Sequence, residues 1–249
     1  MKKLNFLLRT VFILLAYSLF MPLYAQANQP ALIQAIKRDD LAKARAAIDS
    51  GADLNAVYET DIPLCMAIAS KRLEIAKLII QSPRVQVNKR GVRVDGFGNT
   101  WERTALHIAA ENGHTGLVDL LLKKGANINE RDSTNDAPLS RGNTPLILAA
   151  AMNHLDTVRL LLAQPKKPDV LLKEREGKTA FWFAVENENM EMVKLLYDSG
   201  SKVNLPDSRG TSVLTTTVLH KNYEVLDFLI SKGADINMGP KGESTPLMT

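Results

Sequence analysis

The sequence predicts an all-α solenoid of stacked helix pairs, and three observations carry that prediction. First, Thr104-Ala105-Leu106-His107-Ile108-Ala109-Ala110 recurs as Thr144-Pro145-Leu146-Ile147-Leu148-Ala149-Ala150. Second, each copy is followed by a polar bend and then an apolar stripe at helical spacing, such as Leu117, Val118, Leu120, Leu121 and Leu122. Third, that stripe ends in Gly-Ala-Asp/Asn-x-Asn at Gly51, Gly125 and Gly233, with Gly200-Ser201-Lys202-Val203-Asn204 as a variant. A glycine there suits the left-handed position that terminates a helix.

Taken in chain order, residues 1–27 differ in kind from the rest. Lys2, Lys3 and Arg9 precede the apolar run Val11 to Met21, Pro22 breaks it, and Ala25-Gln26-Ala27 supplies small residues for a signal peptidase. This is the pattern of a secretory signal cleaved after Ala27. The run is short of the ~20 apolar residues that span a bilayer, so the expectation is export without stable membrane insertion. The Met-Lys-Lys start looks bacterial, which places the product in the periplasm or, as the alternative, outside the cell. Cleavage removes three of the charges behind the net +4. The mature chain is then near neutral, which gives no reason to expect nucleic acid as a partner.

Residues 28–249 form the repeat domain. Copies start near 30, 62, 104, 144, 179 and 212, with a stub from 245 that begins a seventh and stops. The first copy carries Lys37, Arg38, Asp39, Asp40, Lys43 and Arg45, the polar surface that a terminal unit needs. At the other end, nothing in the sequence caps the stripe Val225 to Ile230, so the expectation is a truncated seventh unit, the alternative being that a partner or a second copy covers that face. The single cysteine, Cys65, excludes an internal disulfide and a zinc site built on several thiolates. It falls on a helix beside Leu64 and Ala67 and is expected to be buried.

A unit of about 33 residues with two short helices and a Gly/Asn-rich turn resembles the ankyrin repeat, whose signature is Thr-Ala-Leu-His-x-Ala-Ala. The resemblance covers residues 30–249. It implies that the Thr caps the first helix, that Pro145 or its equivalent starts it, and that His107 bonds between neighbouring repeats. Cys65, Ile147, Trp182 and Thr215 replace that His elsewhere, so the resemblance implies an incomplete polar ladder.

The family's connections form hairpin-like finger loops beside a concave binding surface, and two of them are long here: Gln81 to Arg103 and Asn129 to Asn143. The first holds Arg84, Lys89, Arg90, Arg93 and Arg103 against Asp95 and Glu102, with Phe97 and Trp101. Aromatic and Arg side chains on a projecting loop have the composition of interface hot spots. Arg90, Arg93, Phe97 and Trp101, with Arg131 on the second loop, are therefore the candidate protein-binding residues. A basic finger points to a partner with an acidic patch. Gln164 to Glu176 is a third long connection and a candidate second finger.

Other chemistry is weaker. Gly177-Lys178-Thr179 lacks the glycine five positions earlier that a phosphate loop needs, since Leu172 stands there. His107, His114, His154 and His220 match no metal spacing, and no Gly-x-Ser-x-Gly elbow is present. Glu174, Glu176, Glu186, Glu188 and Glu191 read as a solvated face. The expectation is a non-enzymatic, cofactor-free binding module, serving as a periplasmic scaffold or accessory protein. The alternative is an immunity or inhibitor protein that neutralises a secreted toxin or lipase effector, a role that exported bacterial ankyrin proteins resemble. An enzyme framed on the solenoid and an effector sent into a host are the other classes weighed.

Overall fold

A computed structural model describes residues 30–94, 100–133 and 142–239. The predicted signal, Phe97 and the stub from 245 lie outside the described residues. Two compact units divide the chain, one ending at Asp53 and the other starting at Leu54.

The first unit is one helix pair, α1 (Ala31–Arg38) and α2 (Leu41–Asp49). Leu32, Ile33, Ala35 and Ile36 are buried on α1, and Ala44, Ala47 and Ile48 on α2. Asp39 adopts a left-handed conformation (φ 56°) to end α1, and Asp40 accepts a hydrogen bond from the Lys43 amide to start α2. Lys37, Arg38, Asp39, Lys43 and Arg45 are exposed, the polar surface the sequence predicts.

The second unit repeats the same pair five more times among the described residues, with one hairpin inserted. Its elements are α3 (Pro63–Ala69), α4 (Leu73–Gln81), β1 (Arg90–Val94), β2 (Thr100–Thr104), α5 (Ala105–Glu111) and α6 (Thr115–Lys123), followed by α7 (Pro145–Ala151), α8 (Leu155–Leu162), α9 (Ala180–Glu186), α10 (Met190–Asp198), α11 (Val213–Leu219) and α12 (Tyr223–Ser231). The short first helices pack in one row (α3, α5, α7, α9, α11) and the second helices in another (α4, α6, α8, α10, α12). Equivalent positions form continuous columns of core. Leu64, Leu106, Leu146, Phe181 and Leu214 are buried in the first row, and Ile79, Leu121, Leu161, Leu196 and Leu229 in the second. One pair alone would leave these faces in water, so stacking of neighbours supplies the stability.

Local chemistry sets the element boundaries. The hydroxyls of Thr144, Thr179 and Ser212 accept the amides of Ile147, Trp182 and Thr215 at 3.2, 3.3 and 3.3 Å. Asn189 and Asn222 cap α10 and α12 in the same way, each at 3.0 Å. Pro63 and Pro145 occupy the first helical turn, where a missing N–H is harmless. Gly125, Gly200 and Gly233 take φ of 86°, 105° and 79° after their helices, as their sequence position predicts.

The structure corrects three expectations. Residues 164–176 are not a hairpin finger: no strand forms there, and the Asp169 amide bonds Asn129 Oδ1 at 2.9 Å on the preceding loop. Glu186 is not a free solvated acid, since it accepts Trp182 Nε1 at 2.9 Å and Lys178 Nζ at 2.8 Å. The stripe on α12 is already partly covered. Val225 and Leu229 are buried within the stack, whereas Tyr223 and Ile230 remain 68% and 49% exposed.

Candidate functional site

The first long connection does form a hairpin. β1 and β2 pair antiparallel with Arg90 opposite Thr104, Gly91 opposite Arg103, Val92 opposite Glu102 and Arg93 opposite Trp101. Gly91 is required by proximity, because a Cβ there would run into the Asp61 carboxylate and Cys65. Cys65 is buried, as predicted, with Sγ 3.7 Å from the Arg103 carbonyl.

Arg103 anchors the base of the finger. Its side chain is 5% exposed; Nη1 bonds both Glu111 oxygens at 2.8 Å and Nε bonds Asp132 at 3.2 Å. Asp132 also accepts the backbone and side-chain N–H of Asn143, at 2.6 and 3.1 Å. Trp101, half-buried, stacks under Arg103 with the guanidinium carbon 5.1 Å from the ring centre. A buried cation with two carboxylates and a ring face ties β2, α5 and the next loop into one body.

His107 completes that base. Nδ1 accepts the Thr104 amide at 3.2 Å and lies 2.8 Å from its hydroxyl, closing a reciprocal cap on α5. Nε2 therefore carries the proton and points at the carbonyls of Glu130 (3.0 Å) and Asn143 (3.2 Å). Burial is the main cause that lowers its pKa to about 4; Asp132 opposes this and Arg103 adds to it. This is the inter-repeat role implied for His107. Trp182 and Thr215, in the same slot, bond within their own repeats instead.

A second pattern links the loops, and sequence reasoning missed it. Arg90, Arg131 and Lys173 occupy the same slot in three successive loops, and each donates to the backbone of the next. Arg90 Nη2 reaches the Arg131 carbonyl at 2.9 Å, Arg131 Nη2 the Lys173 carbonyl at 2.6 Å, and Lys173 Nζ the Pro206 carbonyl at 2.8 Å. Beside these rungs, Asn55, Asn88, Asn129 and Asn204 each accept the amide of a residue one loop on. The slot follows Gly-Ala-Asn-Ile-Asn only at Arg131, and the reach of each side chain across the loops is not a sequence property.

The candidate residues thus divide. Arg90 is half-buried and held by Glu130 (2.5 Å), Ser133 (2.6 Å) and, more loosely, Glu102 (3.9 Å), so its charge is largely compensated inside the molecule. The Arg90 hydrogen bond is the chief reason that Glu130 titrates below the usual carboxylate range. Arg131 is exposed and, among the described residues, bonds the Lys173 carbonyl without a carboxylate partner. Trp101 sits on β2, and Arg93 pairs with it in the strand register. Among the described residues, no three of His, Cys, Asp and Glu converge to hold a metal, and no helix is long and apolar enough to cross a membrane.

The model for ankyrin repeats (3 copies) matches residues 86–173 and 164–239. The chain belongs to the ankyrin repeat family. An ankyrin repeat protein of fowlpox virus is 25% identical over 221 residues, covering 81% of this chain and 36% of that one. One from Rickettsia felis is 30% identical over 122 residues, 48% of this chain and 37% of that one. Mouse Rabankyrin-5 is 30% identical over 149 residues, with 58% and 12% covered. These three relatives are therefore matched over about a third of their length or less. The crystal structure of the ankyrin repeat domain of Bcl-3 superposes with a TM-score of 0.69 at 23% identity, covering 89% of this chain and 93% of that one. It is likewise an ankyrin fold, an architecture that is generally a non-catalytic interaction domain.

Proposed function

We propose that this ankyrin repeat protein is exported to the periplasm and binds a protein partner through the finger hairpin and the adjoining first helices. The observation that supports this most is Trp101, half-buried and stacked on Arg103 at a finger base fixed by buried ion pairs. A rigid, amphipathic ring on an ordered hairpin loses little entropy when it is covered. The role is that of a scaffold or accessory protein, with any acidic patch on the partner meeting the cations left free on the loops.

The test is photo-crosslinking in the exporting cell from a probe at Glu102, in wild type and in a Trp101→Ala variant, together with cell fractionation. The expected result is one crosslinked partner in the periplasmic fraction, depleted at least about tenfold by Trp101→Ala, as for a hot-spot residue worth over 1.4 kcal/mol. The partner's own activity separates the scaffold role from the inhibitor role. Retention of the chain in the cytosol, or crosslinking indifferent to Trp101, would overturn the proposal.

A further inference from the structure

Five loops of the stack share one register, and one of them breaks it. In each, a buried aliphatic residue precedes the slot that reaches the next loop: Leu54-Asn55, Val87-Asn88, Ile128-Asn129, Val170-Leu171 and Val203-Asn204. The four Asn each accept an amide of the next loop at 2.8–2.9 Å. Asn55, Asn88 and Asn204 also donate to a carbonyl there. Leu171 can do neither, and it stands 42% exposed. An aliphatic side chain in water at a slot where Asn bonds costs the fold a rung and gives it no core.

The charge around Leu171 is one-sided. Lys123 and Lys124 lie at the end of α6, Lys166 and Lys167 in the loop of Leu171 itself, and Lys202 in the turn after α10, all of them exposed. A helix dipole favours cations only near the last turn, whereas Lys166, Lys167 and Lys202 stand four or five residues past their helices. The exposed acids of these turns are Asp169 and Asp198, and Lys123 pairs with Asp119 at 2.7 Å. In the bends at the other end of the second helices the balance reverses, with Glu74, Asp156, Glu188, Glu191 and Glu224 exposed against Lys71 and Lys221. Beside the lysines runs a groove of about 480 Å³, its apolar lining Leu122, Ala126, Ile128 and Pro165, with Lys166 next to them.

We infer that this edge, from Lys123 and Lys124 across Lys166, Lys167 and Leu171 to Lys202, docks on the surface of a bilayer that contains anionic phospholipid. The cations match lipid phosphates in charge, and lysines, as flexible point charges, need no fixed ligand geometry. Leu171 and the groove add what a soluble polyanion would leave unused, apolar surface for the boundary between head groups and acyl chains. The docking is peripheral, since no described helix is long and apolar enough to cross a membrane. It uses residues apart from the finger and stands independently of the reading of the chain as a protein-binding module.

The test is co-sedimentation of the full exported chain with sucrose-loaded vesicles of phosphatidylcholine, alone or with about 30% phosphatidylglycerol, at low and at high salt. The expected result is partitioning at least about tenfold stronger onto the vesicles with phosphatidylglycerol, and its loss at high salt. Lys166→Glu/Lys167→Glu lowers it at least about tenfold with an unchanged thermal melt. Lys221→Glu, in the bend where Glu188 holds the equivalent left-handed position, leaves it intact. Leu171→Asn separates docking from folding, because it restores a rung toward the Gly200 carbonyl and the Lys202 amide. Its melt rises while its vesicle binding falls at least about threefold. Equal binding to both vesicles, full binding by the double lysine variant, or undiminished binding by Leu171→Asn would overturn the inference. Displacement from the vesicles by soluble glycerol phosphate or oligothymidylate at matched phosphate concentration would overturn the bilayer as the occupant.

Discussion

Acidification should loosen this protein through one histidine, and the size of the effect follows from the site. His107 has an ordinary pKa near 6.5, and in the folded chain burial lowers it to about 4. Between these values the unfolded chain holds a proton that the folded chain refuses, so stability falls as pH drops from about 6.5 to about 4 and changes no further below. Each pKa unit is worth about 1.4 kcal/mol, so the interval corresponds to roughly 3 kcal/mol. The geometry gives the cause. A proton on Nδ1 would face the Thr104 amide that now donates to it at 3.2 Å, breaking the cap of α5. His107→Gln keeps a capping-box residue and removes the titration. Urea unfolding of both proteins from pH 7.5 to 4 cancels the contribution of carboxylates distant from His107, leaving the histidine with the two that it faces, Asp132 and Glu130. The wild-type minus variant difference should decline by about 3 kcal/mol over that range. Long-range nitrogen-15 spectra should show His107 as the neutral Nε2–H tautomer at pH 7.5 and still largely so well below pH 6.5. A pH-independent difference, or an imidazole titrating near 6.5, would refute the reasoning.

Other outcomes follow from the same contacts. Arg103→Met leaves Glu111 and the buried Asp132 without their cation, and should destabilise the chain by about 3 kcal/mol or more in urea melts; adding Asp132→Asn should recover part of that loss. Gly177→Ala places a Cβ at φ 84° against the backbone of Asp207 and Ser208, and should cost at least about 2 kcal/mol by the same measurement. Thr144→Ala removes the cap on the Ile147 amide and should cost about 1 kcal/mol, read as earlier hydrogen exchange at the start of α7. Although partial burial opposes its charge, Lys178 titrates above its usual range because of Glu186, so Glu186→Gln should lower the Lys178 pKa in nitrogen-15 titrations.

Much of the architecture was legible in order along the chain. The recurring Thr/Ser caps, the prolines at 63 and 145, and the glycines after α6, α10 and α12 each act on neighbours within a few residues. The apolar columns are likewise local patterns repeated, so every helix pair of the described residues was predicted. The candidate site was legible only in part. Trp101 is half-buried on β2, Arg131 is exposed on its loop, Arg93 is placed by strand register alone, and Phe97 falls outside the described residues.

The sequence by itself determined the repeat unit, because helix starts, helix ends and apolar faces are set by contacts three or four residues apart. Only the tertiary structure decided where each charge goes, because a long side chain chooses its partner among loops some 40 residues away. Arg90 counts as a finger cation in the sequence, yet in the fold it answers Glu130; Glu186 reads as a solvated acid, yet it holds Trp182 and Lys178. Stacking brings those groups together, and the need to compensate charge out of water selects the pairs.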